Sequence, residues 1–198
     1  MIAYSMMAFA SCSGVDPLVL VVRRGNLERA RELSAQLGIS SIVCEGGERR
    51  QDSVRNGLGA VAEADLVAIH DGARPLVTPE LIEACYQAAE ISGAAVAAVP
   101  VRDTLKMVSA DGWVTRTVSR EGLWVAQTPQ VFRLDLVRRA YAALDREVTD
   151  DSAAVELLGH PVRVVPSEPA NLKITTKGDL LLARALVEAK LHPTRGRW

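Results

Sequence analysis

Neither glycine signature that commonly marks a phosphate-binding loop, GxGxxG or GxxxxGK[ST], occurs anywhere in the 198 residues, so dinucleotide-cofactor and P-loop chemistry lose support. Cysteine is scarce. Cys12, Cys44 and Cys85 are odd in number, far apart, and lack both CxxC spacing and histidine partners, so neither a disulfide framework nor a zinc site fits, and a reduced, cytoplasmic setting is expected. No sign of charge dominates: 23 Lys and Arg against 24 Asp and Glu leave a formal charge of -1. There is no global basic field to hold nucleic acid or an anionic membrane, and an anionic ligand has to be met by a local cluster. No apolar run reaches the ~18 residues of a membrane span, and the opening MIAYSMMAFA lacks the basic flank of a signal peptide. It reads as a helix already under way. Aromatics make up 4% of the chain, and nothing basic repeats around Trp113 and Trp124. They read as core or interface packing rather than as a base-stacking platform.

The sequence does hold a regular alternation. With 48% hydrophobic and 24% charged residues, the chain fits one globular domain spanning 1–198. Short apolar runs alternate with segments of helical period. The reading is strand at 18–22, helix at 27–37, strand at 41–43, helix at 53–61, strand at 66–69, helix at 79–91 and strand at 94–99. Helices then follow near 134–144 and 152–158, a strand at 162–165, and a closing helix from about Gly178 to Lys190. Such alternation predicts an α/β fold with a mostly parallel sheet and helices on both faces. Residues 103–124 differ, with alternating Val, Met, Trp and Thr around Asp111-Gly112, a hairpin signal. They are read as a projecting β-arm.

Several polar segments interrupt this pattern. The strand at 66–69 runs into HDGARP, placing Asp71 and Arg74 at the carboxyl end of a parallel strand, where ligands bind in open α/β sheets. Asp71 can orient a ribose hydroxyl or sit near a phosphate-bound magnesium, and Arg74 offers a planar fork for phosphate oxygens. The pair equally fits a capped turn with its own ion pair. His70 beside them reads as a packed, hydrogen-bonded residue. GGERRQDSVRNGL sets two glycines before a helix start at Asp52 or Ser53, whose amides can bind an anion or a base edge. An ordinary capped helix with a solvated arginine face fits as well. PVRDTLK, SREGLW and QTPQ mix basic and hydroxyl groups, and NLKIT sets Lys173 among apolar neighbours, where an amine needs an anionic partner.

In this order GGERRQDSVRNGL, HDGARP, PVRDTLK, SREGLW, QTPQ, TDDSAAVE and NLKIT resemble the 2-C-methyl-D-erythritol 4-phosphate cytidylyltransferases of isoprenoid synthesis, over nearly the whole chain. The resemblance implies a Rossmann-like nucleotidyltransferase sheet and transfer of a cytidylyl group from CTP to methylerythritol phosphate, with release of pyrophosphate. It also implies substrate-bound magnesium and a homodimer joined through the β-arm. By motif, Gly47, Glu48, Ser53 and Asp71 resemble the nucleotide-binding residues, with Asp71 near the metal. Arg74, Thr104, Arg120, Thr128 and Lys173 resemble the acceptor-binding set, Arg120 and Lys173 its catalytic members, and Thr104 and Arg120 can serve the neighbouring subunit's site.

The family's first strand, a glycine-rich loop with an arginine, and a catalytic lysine precede the helix that Met1–Ala10 resembles. The expectation is therefore an upstream start, and weak or absent activity for the chain as given. Two alternatives stand beside the main reading: a ribitol 5-phosphate cytidylyltransferase, against which HDGARP and SREGLW argue, and a non-catalytic dimerising paralogue.

Overall fold

The structure, a computed structural model, describes residues 1–188. It opens on α1 (Ile2–Ala10), whose Met6, Ala8 and Phe9 are buried. The apolar run Leu18–Val22 forms β1, which pairs in parallel with β2 (Ser41–Glu45). Between them α2 (Leu27–Leu37) stops at Gly38, whose φ of 65° is a left-handed conformation that a side chain would strain. After β2 comes α3 (Arg50–Ala60), which packs on β1 and β2. It starts three residues earlier than its apolar period suggests. Arg49 stands at the N-cap, and its N–H and guanidinium both donate to Asp52 in the first turn, at 3.3, 2.8 and 2.9 Å.

The main sheet has four strands. Their order is β3 (Leu66–Ile69), β7 (Trp124–Arg133), β4 (Ala94–Pro100) and β8 (Arg163–Pro166). β4 and β8 are parallel, whereas β7 runs antiparallel to both β3 and β4. β3, β4 and β8 thus share one direction, and β7 is the reversed strand. Side chains alternate across this sheet and both faces are covered. Ala95, Ala97 and Val131 meet Cys85 and Ala89 of α4 (Pro79–Ser92) on one side. Ala94 and Phe132 meet α5 (Leu134–Ala143) and α6 (Asp151–Glu156) on the other. The closing helix α7 is described over Lys177–Glu188, and its expected last residues, 189 and 190, lie outside the described residues.

β7 has no counterpart among the elements read from the sequence, where QTPQ stands only as a polar candidate site. Pro129 argues against a central strand, because proline cannot donate to a ladder. The structure accommodates it with a bulge: Val96 faces Gln130 and Ala98 faces Ala126, so residues 127–129 together oppose Ala97. The carbonyls freed there accept from side chains, Gln127 O from Gln130 Nε2 at 3.2 Å and Thr128 O from Asn171 Nδ2 at 2.9 Å.

The arm is as expected, an antiparallel pair of β5 (Leu105–Val108) and β6 (Val114–Val118) turning at Gly112, φ 86°. β1 and β3 pair with β2 and β7 and not with each other. A cavity of about 890 Å³ lies between them, floored by apolar residues of α1 and α3 and opening beside Arg50, Ser53, His70 and Asp71.

Phe132 is fully buried in the reversed strand. Phe132→Ala is expected to lower stability by about 3–5 kcal/mol in urea denaturation, and truncating the surface residue Ile91 by less than about 0.5 kcal/mol. Equal costs would contradict this placement of the core.

Candidate active site

The carboxyl end of β3 delivers Asp71 to the rim of the sheet. Its main-chain N–H donates to Thr128 Oγ1 at 3.0 Å, so the β7 bulge fixes where the Asp71 backbone sits. Three cations surround its carboxylate. Lys173 Nζ lies 2.9 Å from Oδ2, Arg74 Nε 3.8 Å from the same oxygen, and Arg50 Nε 3.3 Å from Oδ1. Burial pushes the Asp71 pKa up, but the Lys173 hydrogen bond and the charges of Arg50, Lys173 and Arg74 outweigh it and hold the group below the ordinary carboxylate range.

Arg74 is the most enclosed of the three cations. It is 9% exposed, and burial draws its pKa down with only Asp71 opposing. Nη1 donates to the Asn171 carbonyl at 2.8 Å, while the buried Nε has no hydrogen-bond partner. An unsatisfied buried guanidinium N–H beside an amine is a group prepared for an anion. Arg50 is held differently, with Nη1 and Nη2 donating to the two oxygens of Asp151 at 2.9 and 2.6 Å. Asp151 is wholly buried and also accepts from the Tyr141 hydroxyl. The site thus holds three cations against two carboxylates, an excess of one positive charge.

Nearby, the glycines between β2 and α3 allow a close turn that side chains would block. A Cβ on Gly47 would fall 2.4 Å from Asp52 Cβ, and one on Gly46 2.8 Å from Ser53 Oγ. The Gly47 N–H donates to Ser53 Oγ at 3.0 Å, and Glu48 is exposed at the tip. Gly47, Glu48 and Ser53 therefore form one loop.

The structure places Asp71, from the nucleotide-binding set, beside Arg74, Thr128 and Lys173 of the acceptor-binding set. Thr104 and Arg120 stand exposed on the arm, where Arg120 donates to the Arg102 carbonyl, and neither bonds to the Asp71 group. Sequence reasoning assigned no role to Arg50, Tyr141 or Asp151. Asp151 does lie inside the TDDSAAVE motif, but its partner is 101 residues away. His70 is packed as expected. Because the Arg74 carbonyl can only accept, His70 Nε2–H donates to it at 3.0 Å, and Nδ1 of the neutral ring then accepts from the Thr128 hydroxyl at 3.0 Å. Trp113 and Trp124 are 77% and 43% exposed, outside the core.

An α/β sheet in which three of four strands share one direction, with a cationic rim and a glycine-containing loop beside it, fits the class in which nucleotidyltransferases fall. The family model for 2-C-methyl-D-erythritol 4-phosphate cytidylyltransferase matches residues 1–189. A protein of Dehalococcoides mccartyi with that name is 43% identical over 189 residues, 94% of this chain and 83% of that protein. One from Pelotomaculum thermopropionicum is 45% identical over 196 residues, 96% and 82% of the two chains. Among solved structures, the 4-diphosphocytidyl-2C-methyl-D-erythritol synthase of Anaerococcus prevotii superposes with a TM-score of 0.87 at 28% identity, over 94% of this chain and 85% of its own. The Thermus thermophilus cytidylyltransferase does so at 0.82 and 36% identity, over 93% and 87%. The chain belongs to the 2-C-methyl-D-erythritol 4-phosphate cytidylyltransferase family, and it is an enzyme of the nucleotidyltransferase class.

His70 gives this site a pH dependence. Burial draws its pKa down to about 4, against an ordinary value of 6.5, and the hydrogen bond to Arg74 and the Asp71 charge offset only part of that. Between these values the unfolded chain binds more protons than the folded one. The contribution is therefore complete above pH 6.5 and is lost as pH falls from 6.5 through 4, up to about 3 kcal/mol. Thermal melts from pH 7 to 4.5 should show this slope, and His70→Gln should flatten it. An unchanged slope in the variant would exclude His70 as its source.

Proposed function

We propose that the Asp71 cluster receives the phosphate of methylerythritol phosphate while the loop of Gly47, Glu48 and Ser53 reads the cytosine of CTP. The unsatisfied Arg74 Nε, buried beside Lys173, is the observation that carries this reading. An oxygen of the acceptor phosphate attacks the α-phosphorus of CTP in line. The new P–O bond forms as the bond from the α-phosphorus to the oxygen bridging to the β-phosphate breaks, and pyrophosphate leaves with that electron pair. No general base is required, because the acceptor phosphate already carries the attacking oxygen. The protein's task is to align two anions and stabilise charge at the reacting phosphorus.

In this reading Arg74 and Lys173 hold the acceptor phosphate and Thr128 sets the Asp71 backbone. Arg120 and Thr104 reach the site of the neighbouring subunit from the arm, with Arg120 and Lys173 as the catalytic cations. Among the described residues no group of three or more His, Cys, Asp and Glu is placed to hold a metal ion. Asp71 alone fits magnesium carried by the substrate phosphates, which commonly uses one or two carboxylates. Such an ion would neutralise charge on the triphosphate.

A homodimer through the arm is part of the proposal. Met107, Val108, Trp113 and Val114 are 46–77% exposed on an isolated hairpin, which is marginal in water without a covering surface. The free thiols of Cys12, Cys44 and Cys85 fit the cytoplasm. Among the described residues no helix is long and apolar enough to cross a membrane.

Pyrophosphate release from CTP with methylerythritol phosphate, run beside ribitol 5-phosphate, tests the reading, and equal use of both acceptors would overturn it. Lys173→Ala should weaken methylerythritol phosphate binding about tenfold or more in calorimetry, as expected for a charge-assisted contact that is half exposed. Native affinity in that variant would remove Lys173 from the site. Sedimentation velocity should find a dimer at micromolar concentration that Val114→Asp converts to monomer. A monomer before substitution would remove the arm's role.

A further inference from the structure

Arg50 stands at a junction that the reaction above leaves without a role. Its helix, α3, belongs to the β1–β2 layer and follows directly on the loop of Gly47 and Glu48. Its partners belong elsewhere: Asp71 follows the end of β3, and Asp151 opens α6. Among the described residues no strand pairing joins the two sheets. At the rim, therefore, the guanidinium of Arg50 links the nucleotide loop to the acceptor pocket.

The distances assign each oxygen of Asp71. Lys173 and Arg74 approach Oδ2, whereas Arg50 approaches Oδ1. The fork of Arg50 is itself immobilised by both oxygens of Asp151, whose remaining acceptor capacity takes the Tyr141 hydroxyl. A bidentate pair of this kind fixes the plane of the guanidinium and not only its position. Without Arg50, both Asp71 oxygens would turn to Lys173 and Arg74 and quench the charge that an incoming phosphate needs.

We propose that Arg50 is a positioning residue: clamped by Asp151 and Tyr141, it holds one oxygen of Asp71, Oδ1, away from Lys173 and Arg74, which share Oδ2, and couples the nucleotide loop to the acceptor pocket. The proposal rests on the assignment of that pocket made above. Substrate is touched by Asp71, Lys173 and Arg74, and Arg50 acts through Asp71.

Two variants test it. Arg50→Lys keeps the charge and loses the fork, and Arg50→Gln combined with Asp151→Asn removes both charges, so that no lone carboxylate is left buried. In calorimetry each should bind methylerythritol phosphate at least about fivefold more weakly than the native chain. In an Asp71→Asn background Arg50→Lys should change binding less than about twofold, because coupled residues are not additive. A purely structural Arg50 would lower the melting temperature and give the same loss of binding in both backgrounds, which would overturn the proposal. So would unaltered binding in Arg50→Lys. The unliganded chain supplies an independent readout: the carboxyl carbon of Asp71, followed by NMR, should titrate at higher pH in the Arg50→Gln/Asp151→Asn variant, and an unmoved titration rejects Arg50 as its partner. If the native chain binds neither CTP nor methylerythritol phosphate, the pocket assignment fails, while the Asp71 titration still decides the part played by Arg50.

Discussion

A mostly buried ionised carboxylate just beyond a four-residue strand has to be paired, and the rim of this molecule is organised around that need. Asp71 is 14% exposed, and desolvation alone would favour its neutral form. What keeps it charged comes from the same turn, Arg74, and from two distant parts of the chain, Arg50 after β2 and Lys173 before α7. Arg50 and Lys173 cannot be supplied by local structure, so the site is complete only once the β1–β2 layer, the main sheet and the C-terminal segment have come together. Coupling of this kind makes a site cooperative with its fold.

The second constraint is the bulge in β7. Three residues against one would leave buried backbone groups unpaired, at a cost comparable to lost hydrogen bonds. Side chains close the gap. Gln130 bridges the Gln127 carbonyl and Asp150 and accepts from the Ser152 N–H. Asn171 spans Gln127 and Thr128, and its own carbonyl accepts from Arg74. The network that repairs the strand therefore also carries Arg74 into place, and Thr128, freed from the β4 ladder, turns its hydroxyl to Asp71 and His70. An irregularity in the sheet has become the support of the site, the usual association of bulges with functional rims.

Most of the α/β alternation was legible in the sequence because buried parallel strands and amphipathic helices differ in length and period. Leu66–Ile69 and Leu27–Leu37 match the reading at both ends. β7 was not legible, since its polar centre and Pro129 imitate a loop and only the paired register with β4 resolves the contradiction. The start of α3 slipped for a related reason. Arginine is not a customary N-cap, and here Asp52 caps backwards onto the Arg49 backbone. Ordered motifs did mark Asp71, Arg74, Thr128 and Lys173. The Arg50–Asp151 pair stayed hidden because a partner 101 residues away has no local signature. Thr104 and Arg120 sit on the arm, and their part in the pocket rests on the proposed dimer, which one chain does not encode in its own contacts.

The same electrostatics bear on how tightly the acceptor should be held. Lys173 already has a carboxylate at 2.9 Å, so in the proposed reaction a phosphate would use its remaining N–H donors and share its charge with Asp71. That sharing lowers the affinity with which the phosphate enters, while the charge that grows in the reaction lies on the α-phosphoryl group and the departing pyrophosphate, so the two cations serve to align the acceptor. Arg74 complements this, since its buried and fixed fork gives orientation while the half-exposed Lys173 adapts. In the proposed reaction the carboxylate at the centre of the site therefore serves less as a ligand than as the placeholder that keeps two cations poised, and its orientation becomes the property on which the pocket depends.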